Sequence, residues 1–205
     1  LLNMLATIDS VTAGHIYYQE TDITELKPDQ LAKFRKENLG FVFQEYNLLD
    51  TLTIGENIVL AMTLQNKSKK EIQKGSEEIM RLLGIWEIRN QFPYQVSGGQ
   101  KQRCACARAL INHPKLLLAD EPTGALDSKA AETLLETFQS LNASKRATIF
   151  MVTHDAFSAS YCSRILFLKD GRVFHELIRG QKGRREFLNV ILDVLSATGG
   201  VKDAR

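Results

Sequence analysis

The stretch Leu-Leu-Leu-Ala-Asp-Glu at residues 116–121 decides the fold class. Its first four residues are apolar without polar alternation, which is typical of a strand that is buried on both faces of a parallel sheet. A second such run lies at residues 147–152, and a predicted helix at 128–141 separates the two. Strands that alternate with helices predict an α/β fold with a mainly parallel sheet flanked by helices.

Helical patterns dominate the sequence upstream of this unit. Apolar residues recur at helical spacing at 53–62 and at 68–83, where Leu82 and Leu83 are expected on one apolar stripe. With a further helix at 97–112, they predict a helical subdomain inserted at about 48–110. The other predicted elements are a helix end at 1–6, a strand at 15–19, a helix at 28–37, a strand at 39–43, a hairpin at 164–175 and a C-terminal helix at about 183–196.

Composition limits the class of protein. The 205 residues fit one domain, or one domain with an inserted subdomain, and 44% hydrophobic with 24% charged residues is typical of globular proteins. The net charge of +2 gives no electrostatic footprint for a nucleic-acid backbone. The apolar runs are far shorter than the roughly 20 residues that a spanning helix needs, so we expect any membrane role to depend on a partner.

The three cysteines do not indicate a disulfide framework. They are odd in number, and Cys104 and Cys106 lie two apart on a predicted helix, where they face different directions. We expect these two, and Cys162, to be reduced residues that pack in the interior.

Two carboxylates follow the apolar run directly. Ligands of open parallel sheets bind beyond the carboxyl ends of the strands, so Asp120 and Glu121 would lie where the metal of a nucleotide sits. Successive strand residues point to opposite sides, which would let one carboxylate hold Mg²⁺ and the other face the attacking water. Taken alone, Asp-Glu after a strand is more often a simple turn.

The stretch Ser97-Gly98-Gly99-Gln100 opens a predicted helix. Ser97 is a favourable N-cap, which is the simplest explanation of its position. Two successive glycines weaken a helix, by roughly 1 kcal/mol each relative to alanine in the interior, so a bare backbone must serve another purpose. A helix start offers free amides and the positive end of the dipole, and phosphate is the expected ligand.

Single polar residues follow two other predicted strands. Gln44 comes after the strand at 39–43, and His154 comes after the strand at 147–152. A lone Gln or His at such a place is usually a hydrogen-bonded loop residue, so the meaning of both depends on the other motifs.

Taken together, these motifs resemble the ABC transporter ATPases in order and spacing. The resemblance covers essentially the whole chain and implies a P-loop NTPase-type sheet with a helical signature subdomain, in a single nucleotide-binding domain over residues 1–205. The matching residues are Gln44 (Q-loop), Ser97-Gly98-Gly99-Gln100 (signature), Asp120-Glu121-Pro122 (Walker B type), Ala125-Leu126-Asp127 (D-loop) and His154 (switch histidine).

Further residues resemble one subgroup of this family. Residues 41–44, with Asn47-Leu48-Leu49 and Leu52-Thr53, are similar to ATPases of lipoprotein-releasing and macrolide or peptide-defence systems. Residues 5–9 and the tail from Arg179 to Gly200 look most like those of the bacitracin-type antimicrobial-peptide exporters. Lipoprotein-releasing and macrolide-type ATPases remain the alternatives.

The resemblance implies ATP hydrolysis with Mg²⁺. Glu121 would be the general base or position the water, Asp120 and Gln44 would bind the metal, and His154 would sense the γ-phosphate. Two such domains pack head to tail in this family, so that one subunit completes the ATP site of the other. The residues implied at that interface are Ser97, Gly98, Gly99 and Gln100 on the nucleotide, and Asp127, which would also bridge the subunits.

The family also implies its partners. They are a second ABC ATPase subunit and an integral-membrane permease, with the loop 44–53 nearest to the permease, and no nucleic acid. Such a subunit would lie at the cytoplasmic face of the cell membrane, held there by the permease. ABC proteins of DNA repair carry long coiled coils between Q-loop and signature, and here that interval has no sustained heptads.

One element of the family pattern is missing. The 205 residues contain no Gly-x-x-x-x-Gly-Lys-Ser/Thr loop to hold the phosphates. We expect that the sequence is an incomplete copy of a longer protein and begins just after this loop. We also expect no measurable ATP hydrolysis by these residues alone. The alternative that the absence leaves open is a non-catalytic module that completes the phosphate loop of another protein.

Overall fold

The computed structural model describes residues 1–145 and 147–197. The chain divides into two compact units, Leu1–Val152 and Thr153–Arg205. The assignment of residues 1–205 to one domain stays a prediction, and Gly199 and Gly200 lie outside the described residues.

The first unit contains the parallel sheet that the sequence predicts. Its strands β3 (Leu39–Val42), β4 (Leu116–Asp120) and β5 (Thr148–Val152) lie in the order β3-β4-β5, and both pairs are parallel. Earlier in the chain, β1 (Tyr17–Tyr18) and β2 (Thr21–Asp22) form a short antiparallel pair. The α/β fold class is confirmed.

The central strand β4 forms the middle of the core. Leu117, Leu118 and Ala119 are buried completely or nearly so, because neighbouring strands and helices cover both faces. The short helix α1 (Leu2–Leu5) packs on this sheet, where Leu2 and Ala6 meet Leu118.

Helices occupy the stretch between β3 and β4. After α2 (Pro28–Asn38), which begins with proline in its first turn, the chain forms α3 (Ile54–Thr63), α4 (Lys69–Leu82) and α5 (Gly98–Leu110). The limits of the predicted subdomain at about 48–110 stay a prediction. Helix α6 (Ser128–Lys145) then connects β4 to β5.

The prediction that Leu82 and Leu83 lie on one apolar stripe at the end of α4 is correct for Leu83 and wrong for Leu82. Leu83 is buried, but Leu82 is 53% exposed. Adjacent helical residues are about 100° apart around the axis, and here Leu83 faces the core while Leu82 lies on the exposed side.

The second unit is a small packed body. It contains α7 (Ala156–Ala159), the antiparallel strands β6 (Arg164–Lys169) and β7 (Arg172–Ile178), and α8 (Arg184–Ala197). The hairpin turn has positive φ at Asp170 and Gly171, as type I′ turns require, and the predicted hairpin is confirmed with a longer second strand.

The C-terminal helix packs through apolar side chains on one of its faces. Phe187 and Ile191 of α8 are buried with Phe167 of β6, and Val194 and Leu195 pack beside them. The guanidinium of Arg184 lies 4.5 Å from the centre of the Tyr161 ring and 5.4 Å from that of Phe157. A cation–π contact therefore uses one of the basic residues at the start of this helix.

The cysteines are free, as expected. Burial raises the pKa of the Cys104 thiol to about 12, so it stays protonated and unreactive. Among the described residues, no helix is long and apolar enough to cross a membrane.

Candidate functional site

The end of β4 carries the two predicted carboxylates. Asp120 is the last residue of the strand, and Glu121 follows with φ 45°, in the left-handed region. The Glu121 amide still donates to the Val152 carbonyl of β5 at 3.0 Å. A non-glycine residue held in this region costs about 1–3 kcal/mol, and such strain concentrates at functional sites.

This backbone corrects the expectation of simple alternation. Glu121 has left the extended conformation, so its direction relative to Asp120 is set by the left-handed backbone and not by the pleat of the strand. Pro122 and Thr123 are buried immediately after it, and the Gly124 amide donates to the Glu121 carbonyl at 3.1 Å. A tight turn therefore holds Glu121 at the sheet edge.

The end of β3 brings Gln44 to the same edge. Val42 pairs with Ala119 in the parallel register, so Gln44 and Glu121 are each the second residue after a paired position. Adjacent strands lie about 4.8 Å apart, and carboxyl ends of parallel strands share one edge. Gln44 is exposed there, and Asp120 and Glu121 are half-buried.

The loop after Gln44 is fixed by a buried residue that the sequence interpretation missed. Asn57 of α3 is 1% exposed, and its side-chain amide donates to the carbonyls of Leu49, Leu52 and Thr53 at 3.0–3.1 Å. Its side-chain oxygen accepts from the Leu49 amide at 2.8 Å. A polar residue on the apolar face of a predicted helix was the signal that could have revealed it.

Helix α5 begins with the predicted N-cap. The Gln100 amide donates to the Ser97 hydroxyl oxygen at 3.3 Å, and the Ser97 amide donates to the Gln100 side-chain oxygen at 2.8 Å. This capping box confirms Ser97 as the N-cap, and it uses the side chain of Gln100 as well.

The glycines that follow lie against two loops of the same unit. A Cβ on Gly99 would lie 3.0 Å from the Ala125 carbonyl oxygen, and one on Gly98 would lie 3.3 Å from the Tyr46 hydroxyl. The start of α5 therefore touches both the loop after β4 and the loop after β3. Close packing within the chain is one physical reason for glycine at position 99, beside any ligand.

Asp127 lies at the start of α6. Its carboxylate accepts from the Ala130 amide at 2.9 Å, and this bond is the main reason that its pKa is lowered. It is exposed, and it acts as a helix cap within this chain.

His154 belongs to the second unit and is exposed. It follows the end of β5 along the chain and precedes Asp155, whose carboxylate accepts from the amides of Phe157 and Ser158 and caps α7. The first unit thus brings together Gln44, Asp120 and Glu121 at one edge, with the start of α5 contacting the two loops that leave it.

Two other features contain none of the predicted site residues. A groove of about 420 Å³ lies between α4, the end of α5 and α6, with Leu82 and Ile79 in its lining. The ligand atoms of His15, Asp22 and Glu25 lie within 4.8 Å of one another, and Nδ1 of His15 is hydrogen-bonded to the Asp22 carboxylate at 2.6 Å.

Comparison with known proteins decides the family. Residues 1–124, more than half of the chain, match the family model described as ABC transporter. The chain belongs to the ABC transporter family. Within it, the chain is an ATP-binding domain of the ATPase type.

Relatives cover nearly the whole chain. The Bacitracin export ATP-binding protein BceA of Halalkalibacterium halodurans is 48% identical over 203 residues, which are 99% of this chain and 80% of the relative. The ABC transporter ATP-binding protein YxdL of Bacillus subtilis is 51% identical over 98% of this chain and 77% of its own length.

A solved structure agrees with the fold. The dimeric post-hydrolysis state of the ATP-binding cassette MJ0796 bound to ADP and Pi, a protein of Methanocaldococcus jannaschii, matches with a TM-score of 0.82 at 39% identity. The match covers 86% of this chain and 78% of that one. The likeness includes the α/β sheet and the helices around it.

Proposed function

We propose that this protein is the energy-coupling ATPase subunit of a transporter that exports, or protects against, bacitracin-type peptide antibiotics. The observation that carries the ATPase assignment is the parallel pairing of β3 and β4, which brings Gln44 to the same sheet edge as Asp120 and Glu121. The name of the relative BceA, at 48% identity, supports the substrate class.

The strand ends suit a magnesium nucleotide. Carboxylate and amide oxygens are the ligands that Mg²⁺ prefers, and Asp120 with Gln44 would hold it. When bound, the metal neutralises charge on the phosphates. Glu121 is then the residue that takes a proton from the attacking water or positions it.

The start of α5 binds the nucleotide that a second subunit holds. Helix-start amides bind anions, and glycine allows a phosphate to come close. In a head-to-tail dimer, Ser97, Gly98, Gly99 and Gln100 contact ATP across the interface, Asp127 lies beside them, and His154 senses the γ-phosphate.

The chain alone does not form a complete site of this kind. Its sequence has no Gly-x-x-x-x-Gly-Lys-Ser/Thr loop, and two copies would bring two signature stretches and no phosphate loop. Loss of one charge-stabilising donor costs about 10²- to 10³-fold in rate, and a missing loop removes several together. We therefore expect turnover only where a phosphate loop is supplied.

The first test is ATP turnover by the chain and by a version extended upstream with that loop. The extended form should hydrolyse ATP, and Glu121→Gln should lower kcat by about 10²- to 10⁴-fold because general base catalysis is lost. Glu136→Gln, the same change on the exposed side of α6, is the matched control and should leave kcat unchanged. Turnover by the extended form that survives Glu121→Gln would refute the assigned base.

Growth in antibiotic tests the substrate class. In cells lacking their own bacitracin-export ATPase, the extended form should restore growth in bacitracin, and its Glu121→Gln variant should not. Growth restored in a macrolide instead would favour the macrolide alternative, which the residues at 41–49 suggest. The 43% identity to MacB of Syntrophobacter fumaroxidans, over 83% of this chain and 24% of that protein, also supports this alternative.

The partners follow from this role. A second ATPase subunit and a membrane permease complete the transporter, and the subunit is held at the cytoplasmic face of the membrane through the permease. The loop 44–53 is anchored on α3 through Asn57. In this proposal it is the segment of the chain that lies nearest to the permease.

A further inference from the structure

The loop that follows Gln44 contains a strained turn. Tyr46 and Asn47 both have positive φ, at 63° and 46°, and neither is glycine. Two successive residues in this region are costly, and they persist only where their surroundings hold them in place. The contacts of the turn show what holds it.

Arg108, in the last turn of α5, binds the backbone of this turn. Its guanidinium donates to the Asn47 carbonyl at 2.5 Å and to the Tyr46 carbonyl at 2.8 Å. The planar fork of arginine matches two such acceptors, where lysine offers only a point charge. Burial lowers the pKa of Arg108, and hydrogen bonds of this kind compensate a partly buried charge.

The side chain of Tyr46 reaches the other end of the same helix. Its hydroxyl lies where a Cβ on Gly98 would be only 3.3 Å away, so the phenol contacts the first turn of α5. The turn is thus bound to α5 twice, through its backbone near the helix end and through a side chain at the helix start.

We propose that Arg108 and Tyr46 are positioning residues that fasten the Gln44 loop to α5, so that Gln44 and Gly98 keep a fixed mutual placement. The functional meaning rests on the proposed function. There, Gln44 belongs to the ATP site of its own subunit, and Gly98 contacts the ATP held by the second subunit. A displacement of Gln44 is then carried by the turn to the helix start that faces the second subunit.

The loop supplies its own internal control. Tyr46 and Asn47 donate their amides within the turn, to the carbonyls of Phe43 and Glu45. The Leu49 amide is held separately by the Asn57 side chain at 2.8 Å. Loss of Arg108 should therefore free the first part of the loop and leave the second part anchored.

Amide hydrogen exchange of the 205-residue chain tests the anchor. In Arg108→Gln, exchange at Tyr46 and Asn47 should be about tenfold faster, because two hydrogen bonds to a charged group are lost. Exchange at Leu49 and in β4 should stay unchanged. Arg81→Gln, at an exposed arginine of α4, is the matched control. Unchanged exchange at the turn, or equal acceleration throughout the chain, overturns the proposal.

A conservative variant separates anchoring from general damage. Arg108→Lys keeps the charge but can satisfy one carbonyl well, so its exchange rates at the turn should fall between those of the wild type and Arg108→Gln. Exchange rates in Arg108→Lys equal to those of the wild type would contradict the role of the guanidinium fork.

The amide resonance of Gly98 tests the connection to the helix start. In Arg108→Gln it should shift, although position 108 lies at the opposite end of α5, and in Arg81→Gln it should not. A turn that loosens while the Gly98 resonance stays unchanged would show that the two are not connected. Neither measurement uses ATP, so failure here and failure of the turnover test are distinguishable.

Discussion

Helices α4 and α5 both begin with a capping box, but the two boxes differ in one residue type. In α4 the Ser68 hydroxyl and the Glu71 carboxylate exchange hydrogen bonds with each other's backbone, and in α5 Ser97 and Gln100 do the same. The carboxylate of Glu71 also neutralises the positive helix end, whereas the neutral amide of Gln100 does not. Of these two helices, α5 is the one that leaves its positive end available to an anion.

The glycines of the two helices differ as well. Gly75 lies inside α4, where an added Cβ would meet the flexible end of Met62 at 3.2 Å. At Gly99 in α5 the added Cβ would meet the backbone oxygen of Ala125 at 3.0 Å. An added Cβ beside a flexible side chain is accommodated more easily than one beside backbone, because the side chain can move aside. The two helices therefore start with the same capping hydrogen bonds. They differ in the charge of the capping box and in the groups that pack against their glycines.

The largest effect is expected from reversing the charge difference. Gln100→Glu in the form with a phosphate loop keeps the capping box but places a carboxylate beside the expected phosphate, so ATP turnover should fall by about 10- to 100-fold. The thermal unfolding midpoint should hardly change. The opposite exchange in α4, Glu71→Gln, should leave turnover as it is. Unchanged turnover in Gln100→Glu would remove the anion role of α5.

Alanine in place of each glycine tests the packing difference. Gly99→Ala should destabilise the chain by about 1–3 kcal/mol, because the backbone of the neighbouring loop cannot easily yield. Gly75→Ala should stabilise it by up to about 1 kcal/mol through better helix propensity, since Met62 can move aside. Urea unfolding of both variants measures the two effects, and equal signs would contradict the comparison.

Removal of the cap hydroxyls should show what the two helices share. Ser68→Ala and Ser97→Ala should each lower the free energy of unfolding by about 1 kcal/mol, because each leaves one helix amide without its acceptor. A much larger loss at Ser97 than at Ser68 would mean that the α5 cap carries contacts beyond the capping box. Urea unfolding at neutral pH is again the measurement.

The smallest effect is a difference in pH response. The hydroxyl and amide of Ser68 lower the pKa of Glu71, and the amide and hydroxyl of Thr53 lower that of Glu56, the equivalent residue of α3. A carboxyl with a lowered folded pKa stabilises the fold above its unfolded pKa, and this is lost as the pH falls through the folded value.

The amide resonances report this difference directly. Those of Thr53 and Ser68 should titrate with midpoints below the usual glutamate pKa, whereas that of Ser97 should show no such step, because Gln100 does not titrate. A midpoint at or above the usual value for Ser68 would contradict the capping geometry.

Local patterns predicted most of the fold. The unbroken apolar run of β4 indicated a strand covered on both faces, and Pro28 and Ser97 marked helix starts correctly because caps depend on residues close in sequence. The sequence also predicted that Gln44 and Glu121 each follow a strand, and the observed pairing of β3 with β4 brings these two strand ends to one edge.

Contacts between distant residues were not predictable in the same way. Arg108 meets the turn at Tyr46 and Asn47 across about sixty positions of sequence, and no local pattern specifies that partner. The left-handed backbone of Glu121 and the exposure of Leu82 likewise depend on what packs around them.

The sequence by itself determined the family, the helices and strands and the order of the motifs, because these depend on residue type and on spacing along the chain. Only the tertiary structure decided how those motifs are held. The contact of Gly99 with Ala125 and the anchoring of the Gln44 loop by Arg108 arise when separate segments pack together. The physical reason is that hydrogen bonds and close packing depend on distance in space, which spacing in sequence does not fix.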